Sequence, residues 1–264
     1  VSVTRAAALL AVLLAGVVPA RAAPRADAAP EWLMMVVTRN TDPAREAEFN
    51  DWYDRIDLPD VLEVPGYERA RRGRRVGTPA ATPPADGDGP YVALYDVRSA
   101  AIDRTIIDLL MAARRMDKRG RGTTLLEVTE RVYYRRRAPD VGGRAASGRA
   151  THLYVERVDC PSAGPVRRRF LAAYDGGHLA GARGDPLVRA VHRYELYRAL
   201  WEEPRSAPAY LTLYELSAPD DGAALALVER LSAALAGPAR AAGGCREQSS
   251  ALYLQLADVP RAGR

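Results

Sequence analysis

The feature that most constrains this chain is that it repeats itself. Phe49, Tyr53, Asp54, Leu58, Pro65 and Arg72 recur as Phe170, Tyr174, Asp175, Leu179, Pro186 and Arg193, each shifted by 121 residues without a gap. Tyr91-Val92-Ala93-Leu94-Tyr95 recurs as Tyr210-Leu211-Thr212-Leu213-Tyr214 with a shift of 119, and Tyr133 aligns with Tyr253 at 120. Three blocks in one order with nearly one shift mark a duplicated unit. Of the 264 residues, 48% are hydrophobic, so each copy can bury a core of its own.

Within each copy the pattern reads β-α-β-β-α-β. Trp32 to Arg39 is an apolar run expected as a buried strand. Asp42-Pro43 opens a helix, with Asp as the cap and Pro at the first helical position. Its apolar face is Ala47, Phe49, Trp52, Tyr53 and Ile56, and Leu58-Pro59 is expected to end it. Strands are expected at 67–76, 91–97 and 125–134, with a helix over 100–117 and a Gly/Pro-rich loop over 77–90. The second copy gives strands at 152–158, 187–201, 210–216 and 248–256, helices at 165–174 and 220–235, and a turn at 238–244. In Tyr91 to Val97, Tyr91, Ala93 and Tyr95 point one way while Val92 and Leu94 point the other, so both faces of the sheet are apolar.

The expected organisation is therefore a repeat at 32–136, a linker at 137–150, a repeat at 151–257 and a tail at 258–264. Ahead of these, Arg5, the apolar run Ala6 to Val18, Pro19 and the small-x-small triplet Ala20-Arg21-Ala22 read as a secretory signal over 1–22, cleaved after Ala22. An uncleaved anchor is the alternative, and residues 23–31 read as a tether. The expected location is secreted or periplasmic, with no stable membrane insertion after cleavage. The net charge of +5 is carried almost wholly by arginine, Lys118 being the only lysine. Export argues against a nucleic-acid partner.

The segment Phe49 to Arg72, FNDWYDRIDLPDVLEVPGYERARR, resembles the helix-and-strand signature of EthD-like proteins in the dimeric α+β barrel superfamily. The resemblance implies an α+β fold in which two ferredoxin-like βαββαβ repeats pack their antiparallel sheets face to face as an intrachain barrel. The chain would then be a monomer containing its own pseudo-dimer. Each four-stranded sheet would shelter the apolar face that the other leaves open. The same fold places Cys160, past the first strand of repeat 2, beside Cys245, ahead of its last strand, and so implies a disulfide; two free thiols are the alternative.

The resemblance also selects candidate site residues. His178, in Tyr174-Asp175-Gly176-Gly177-His178-Leu179, stands where EthD-like proteins carry histidine. If the helix persists, Tyr174 and His178 share a face, Asp175 could orient the ring, and the trio could move a proton. The Gly176-Gly177 pair is expected to end the helix before His178, which leaves a capping or structural role as the alternative. Tyr53, Asp57 and His192 are candidate ligand-binding residues; Asp57 replaces the histidine in repeat 1, as a decayed site or as a carboxylate substitute. No metal-ligand spacing, phosphate loop or hydrolase triad is present, and the arginine runs 71–75 and 135–137 read as solvated strand ends. The implied function is a cofactor-independent isomerase or lyase acting on a small apolar or aromatic ligand. A non-catalytic periplasmic binding or scaffold protein is the alternative. A haem protein with His178 or His192 as axial ligand is the third.

Overall fold

A computed structural model describes residues 31–80, 89–137, 141–142, 149–161, 164–199 and 208–263. The expected signal, most of the tether, the tip of the 77–90 loop, most of the linker and the end of the 187–201 strand lie outside the described residues. In chain order the elements are β1 (Trp32–Asn40), α1 (Glu46–Trp52), α2 (Leu58–Glu63), β2 (Tyr67–Gly77), β3 (Tyr91–Val97), α3 (Ile102–Lys118), β4 (Leu126–Arg136), β5 (Val141–Gly142), β6 (His152–Asp159), α4 (Pro165–Ala173), α5 (Leu179–Gly184), β7 (Val188–Ala199), β8 (Tyr210–Leu216), α6 (Asp221–Ala242) and β9 (Arg246–Pro260).

The strands run in the order β4-β1-β3-β2-β9-β6-β8-β7, with the short β5 beyond β7, and β4 also pairs with β7. Each repeat thus contributes a four-stranded antiparallel sheet, and the β2–β9 and β4–β7 pairings join the two edge to edge. The result is a closed α+β barrel. Its interior is an apolar layer drawn from both repeats, Leu33, Met35, Val92 and Leu94 meeting Leu153, Val155, Leu211 and Leu213. The opposite sheet faces, bearing Tyr91, Ala93 and Tyr95 in one repeat and Tyr210 and Tyr214 in the other, pack under the helices. Barrel closure leaves few open edges.

Five local expectations are corrected. The helix does not stop at Leu58-Pro59. It widens into a π-helical turn, Tyr53–Asp57, in which the Leu58 amide donates to the Tyr53 carbonyl five residues back, and continues as α2. The wider turn accommodates Pro59, which has no amide hydrogen and whose ring crowds the carbonyl four residues earlier. The same turn recurs at Tyr174–His178, where the Leu179 amide donates to the Tyr174 carbonyl, so Gly176-Gly177 does not end the helix either. Pro238 lies inside α6 rather than in a turn. Finally, Tyr133 and Tyr253 are not equivalent: Tyr133 lies under the helices and Tyr253 in the barrel, and it is Tyr134 that shares the barrel layer with Tyr253. A one-residue slip in strand alignment exchanges faces. The strand also runs past Leu256 into the residues read as a tail, Val259 and Pro260 pairing with Ala70 and Arg69 of β2.

Cys160 and Cys245, 85 positions apart in sequence, form a disulfide with their Cα atoms 4.4 Å apart. Replacing both by serine is expected to lower stability by about 2–4 kcal/mol, mainly by freeing the unfolded chain. Urea unfolding of the oxidised protein and the double variant checks this.

Candidate functional site

The candidate site forms between the sheet and the helices of repeat 2. On β6 alternate residues face the helices, which puts Glu156 beneath them between Tyr154 and Val158; it is 0% exposed. The π-helical turn places Tyr174 and His178 above it, their rings 4.7 Å apart. Thr212 and Tyr214 on β8 complete the cluster. The Tyr174 hydroxyl donates to Glu156 Oε1 and lies 2.6 Å from Thr212 Oγ1. His178 Nε2 is 2.8 Å from the Tyr214 hydroxyl and 3.2 Å from Glu156 Oε2. The His178 side chain is fully buried, and its Nδ1 has no hydrogen-bond partner.

Nε2 faces a phenol oxygen and, at 3.2 Å, the Glu156 carboxylate, whose Oε2 has no hydrogen-bond partner of its own; the negative charge there favours the hydrogen on Nε2. Burial alone would lower the His178 pKa, but the charge and hydrogen bond of Glu156, with a smaller contribution from Glu247, raise it above the ordinary imidazole value. Burial, reinforced by the Glu156 charge, pushes the Tyr174 and Tyr214 hydroxyls well above their usual range, so both stay protonated. The arrangement can hold one proton on a buried imidazole, with the other ring nitrogen also enclosed.

His178 also lines a cleft of about 290 Å³ between α5 and α6. One wall is Gly177, Gly181 and Ala182; the other is Leu227, Leu231, Ala234 and Pro238, with Arg230 and Asp185 at the rim.

The other residues expected at the site go elsewhere. Asp175 does not orient His178. It forms an ion pair with Arg193, whose guanidinium lies 4.9 Å from the centre of the Tyr174 ring. Repeat 1 has the same arrangement, Asp54 with Arg72 at 3.0 Å and Arg72 stacked 4.4 Å from Tyr53, so this pair is part of the duplicated framework. His192 lies on the barrel side of the sheet, opposite His178. Its Nε2 is 3.3 Å from Glu215 and its Nδ1 3.1 Å from Arg136. Burial first, then the Arg71 and Arg136 charges, lower its pKa despite Glu215. Tyr53 and Asp57 occupy the equivalent site in repeat 1, where Tyr95 donates to Asp57 at 3.1 Å. Burial lifts the Asp57 carboxyl to about 6, against the opposing effects of Tyr95 and Arg131. That site has Val36 and Ala93 where repeat 2 has Glu156 and Thr212.

Sequence reasoning missed Glu156, Thr212 and Tyr214. The available signal was a carboxylate at a helix-facing position of the strand Leu153 to Val158, whose other residues on that face, Tyr154 and Val158, are apolar or aromatic. It also misjudged the arginine run in β2. Arg71 and Arg72 are 1% and 0% exposed, not solvated. Arg71 points into the barrel, donating to Asp96 at 2.5 Å and to Glu215 at 2.6 Å.

No family model matches the chain, and no curated protein does. Solved structures match across most of its length. An anthrone oxidase-like protein superposes with a TM-score of 0.52 at 14% identity, covering 90% of this chain and 95% of that one. A haem-bound variant of DypB from Rhodococcus jostii gives 0.53 at 11%, covering 88% and 94%. The encapsulated DyP-type peroxidase of Mycobacterium smegmatis gives 0.52 at 10%, covering 90% and 95%. With the strand order above, these likenesses define the class: a dimeric α+β barrel of ferredoxin-like units, here closed within one chain.

The described residues fit haem poorly. Both ring nitrogens of His192 are engaged, and His178 Nε2 is hydrogen-bonded to Tyr214 on a fully buried side chain. The cleft beside His178, about 290 Å³, is at the bottom of the roughly 300–1,000 Å³ range of ordinary ligand pockets. Among the described residues no group of three or more His, Cys, Asp or Glu side chains could hold a metal ion, and no helix is long and apolar enough to cross a membrane.

Proposed function

We propose that this is an exported EthD-like barrel protein working as a monomer, and that repeat 2 is a cofactor-independent acid–base site. In this reading the protein is an isomerase or lyase for a small apolar or aromatic ligand. The carrying observation is the buried His178, tied through Nε2 to Glu156 and Tyr214, with Nδ1 unpartnered, beside an apolar cleft. Once a ligand is admitted to the imidazole, which the structure holds enclosed, the Nδ1 lone pair takes a proton from a carbon next to a carbonyl, leaving the electron pair in the enolate. The imidazolium so formed is stabilised by Glu156 and can return the proton at another carbon. The Glu156 charge, which raises the imidazole pKa, stabilises the protonated ring between the two transfers. The disulfide and the signal-like residues 1–22 support export.

The test is solvent deuterium incorporation into 2-tetralone, an enolisable two-ring ketone, followed by proton NMR. The native protein is expected to accelerate exchange, and His178→Gln to return it to the buffer rate. Equal rates for the two proteins would end the acid–base reading.

A non-catalytic binding or scaffold role is the second reading. It draws support from the barrel interior, which is filled by side chains of both repeats, and from repeat 1, which lacks a counterpart of Glu156.

A further inference from the structure

The buried site of repeat 2 has a second carboxylate nearby, Glu247, which the acid–base chemistry leaves unused. In antiparallel register Glu156 of β6 lies opposite Ser250 of β9, and both face the helices, as Tyr154 and Leu252 beside them do. Residues so opposed have Cβ atoms about 4.5–5.5 Å apart, within reach of a carboxylate and a hydroxyl. Ser250 Oγ donates to Glu247 Oε1 at 2.5 Å, and Ser232 of α6 donates to Glu247 Oε2 at 2.9 Å. Glu156 is 0% exposed and its Oε2 has no hydrogen-bond partner, whereas Glu247 is half-buried. One serine hydroxyl therefore stands between an enclosed carboxylate and one that reaches solvent.

The surroundings keep this run open to a proton. Burial, then the charges of Glu156 and Glu247, push the Tyr154 hydroxyl well above its usual range, so it stays protonated and does not compete. Burial opposes the charged form of His178, while Glu156 and then Glu247 favour it. The duplication shows that the fold does not require the arrangement. At the matching places on β1 and β4, repeat 1 has Val36 opposite Arg131, and Val128 opposite Thr38 where repeat 2 has Glu247 opposite Val158. Keeping two carboxylates close together and away from water is costly, and only the repeat with the histidine does so.

We propose that Ser250 and Glu247 form the route by which protons pass between the enclosed Glu156–His178 pair and solvent, with Glu247 as its outer end. The proposal deepens the acid–base reading and rests on it for the use made of the proton. A charged imidazole passes its Nε2 hydrogen to Glu156 Oε2, 3.2 Å away, and keeps the one on Nδ1. The hydrogen then moves from Glu156 to Ser250 Oγ as the Ser250 hydroxyl hydrogen passes to Glu247 Oε1, and Glu247 releases it to water. One proton leaves the ring, one reaches water, and both carboxylates end ionised. The reverse sequence recharges the ring.

Carbon-13 relaxation dispersion at His178 Cε1 tests this on the full chain with its disulfide intact. Each protein is measured at the pH where its own ring is half charged, and the signal reads how fast the ring gains and loses its charge. Glu247→Gln and Ser250→Ala are each expected to slow that exchange at least tenfold. Ser232→Ala, which removes the other partner of Glu247 and lies off the route, should leave it within twofold. The sign separates a route from packing, because a loosened structure opens more often and charges the ring faster, not slower. Unchanged or faster exchange in either route variant, or equal slowing in Ser232→Ala, overturns the proposal. If both route variants slow the ring while His178→Gln exchanges 2-tetralone as fast as the native protein, the route stands and the acid–base reading falls. If exchange of 2-tetralone depends on His178 but neither variant slows the ring, the route is wrong and the chemistry survives.

Discussion

Arg71→Ala is expected to destabilise the protein by about 3–5 kcal/mol, the usual cost of stranding a buried ion-pair partner. In a chain of this size that lowers Tm by on the order of 10 °C. Arg71 lies inside the barrel at 1% exposure and bridges Asp96 of repeat 1 to Glu215 of repeat 2. Truncation leaves two carboxylates facing each other across the junction of the sheets. Arg69, 3.2 Å from Glu215 and itself paired with Asp258, replaces only part of the lost charge. The triple variant Arg71→Met, Asp96→Asn, Glu215→Gln removes the stranded charges and should recover much of the loss. A calorimetric Tm for Arg71→Ala within 2 °C of the native value, on the scale of a surface substitution, would show that the bridge does not hold the repeats together.

The same network fixes a sign for acid sensitivity. Burial alone would raise the Glu215 carboxyl, but its hydrogen bond to His192 and the charges of Arg71 and Arg69 hold it well below the carboxylate range. A depressed folded pKa contributes stability above the unfolded value of about 4.3, and that contribution is lost as pH falls below it. The native Tm should therefore drop on acidification from about pH 5 downward. The gap between native protein and Arg71→Ala should narrow over the same range.

Glu156→Gln is expected to cut proton exchange by about 10²–10⁴-fold, the range seen when the group that holds a catalytic imidazole in its tautomer is neutralised. Glu156 does not touch the cleft; it positions His178. A glutamine amide facing Nε2 can donate to it, moving the ring hydrogen to Nδ1 and occupying the lone pair the reaction needs. Nitrogen-15 chemical shifts of the imidazole would report that change directly. The imidazole pKa should fall as well, because the carboxylate that raises it is gone. If exchange slows while tautomer and pKa are unchanged, Glu156 acts only through packing.

Much of the fold was legible because it is written in local periodicity. Tyr91, Ala93 and Tyr95 alternate with Val92 and Leu94, and a strand with two apolar faces needs a layer on each side. The helix ends were misread for an equally local reason. Pro59 and the Gly176-Gly177 pair are ordinary stop signals, yet burial of Tyr53, Leu58, Tyr174 and Leu179 against the sheets outweighs them, and a π-helical turn takes up the strain. Arg71 was misread because charge runs are usually solvated; only the junction of two sheets supplies the carboxylates that make its burial tolerable.

The amino-acid sequence by itself determined that there are two copies of one βαββαβ unit, and which strand residues face opposite ways, since both follow from spacing along the chain. Only the tertiary structure decided which polar groups meet. Glu156, Tyr174, His178 and Tyr214 come from a strand, a helical turn and a second strand, and Arg71, Asp96 and Glu215 from both repeats. Such encounters depend on strand register and barrel closure, where a shift of one residue turns every side chain to the other face.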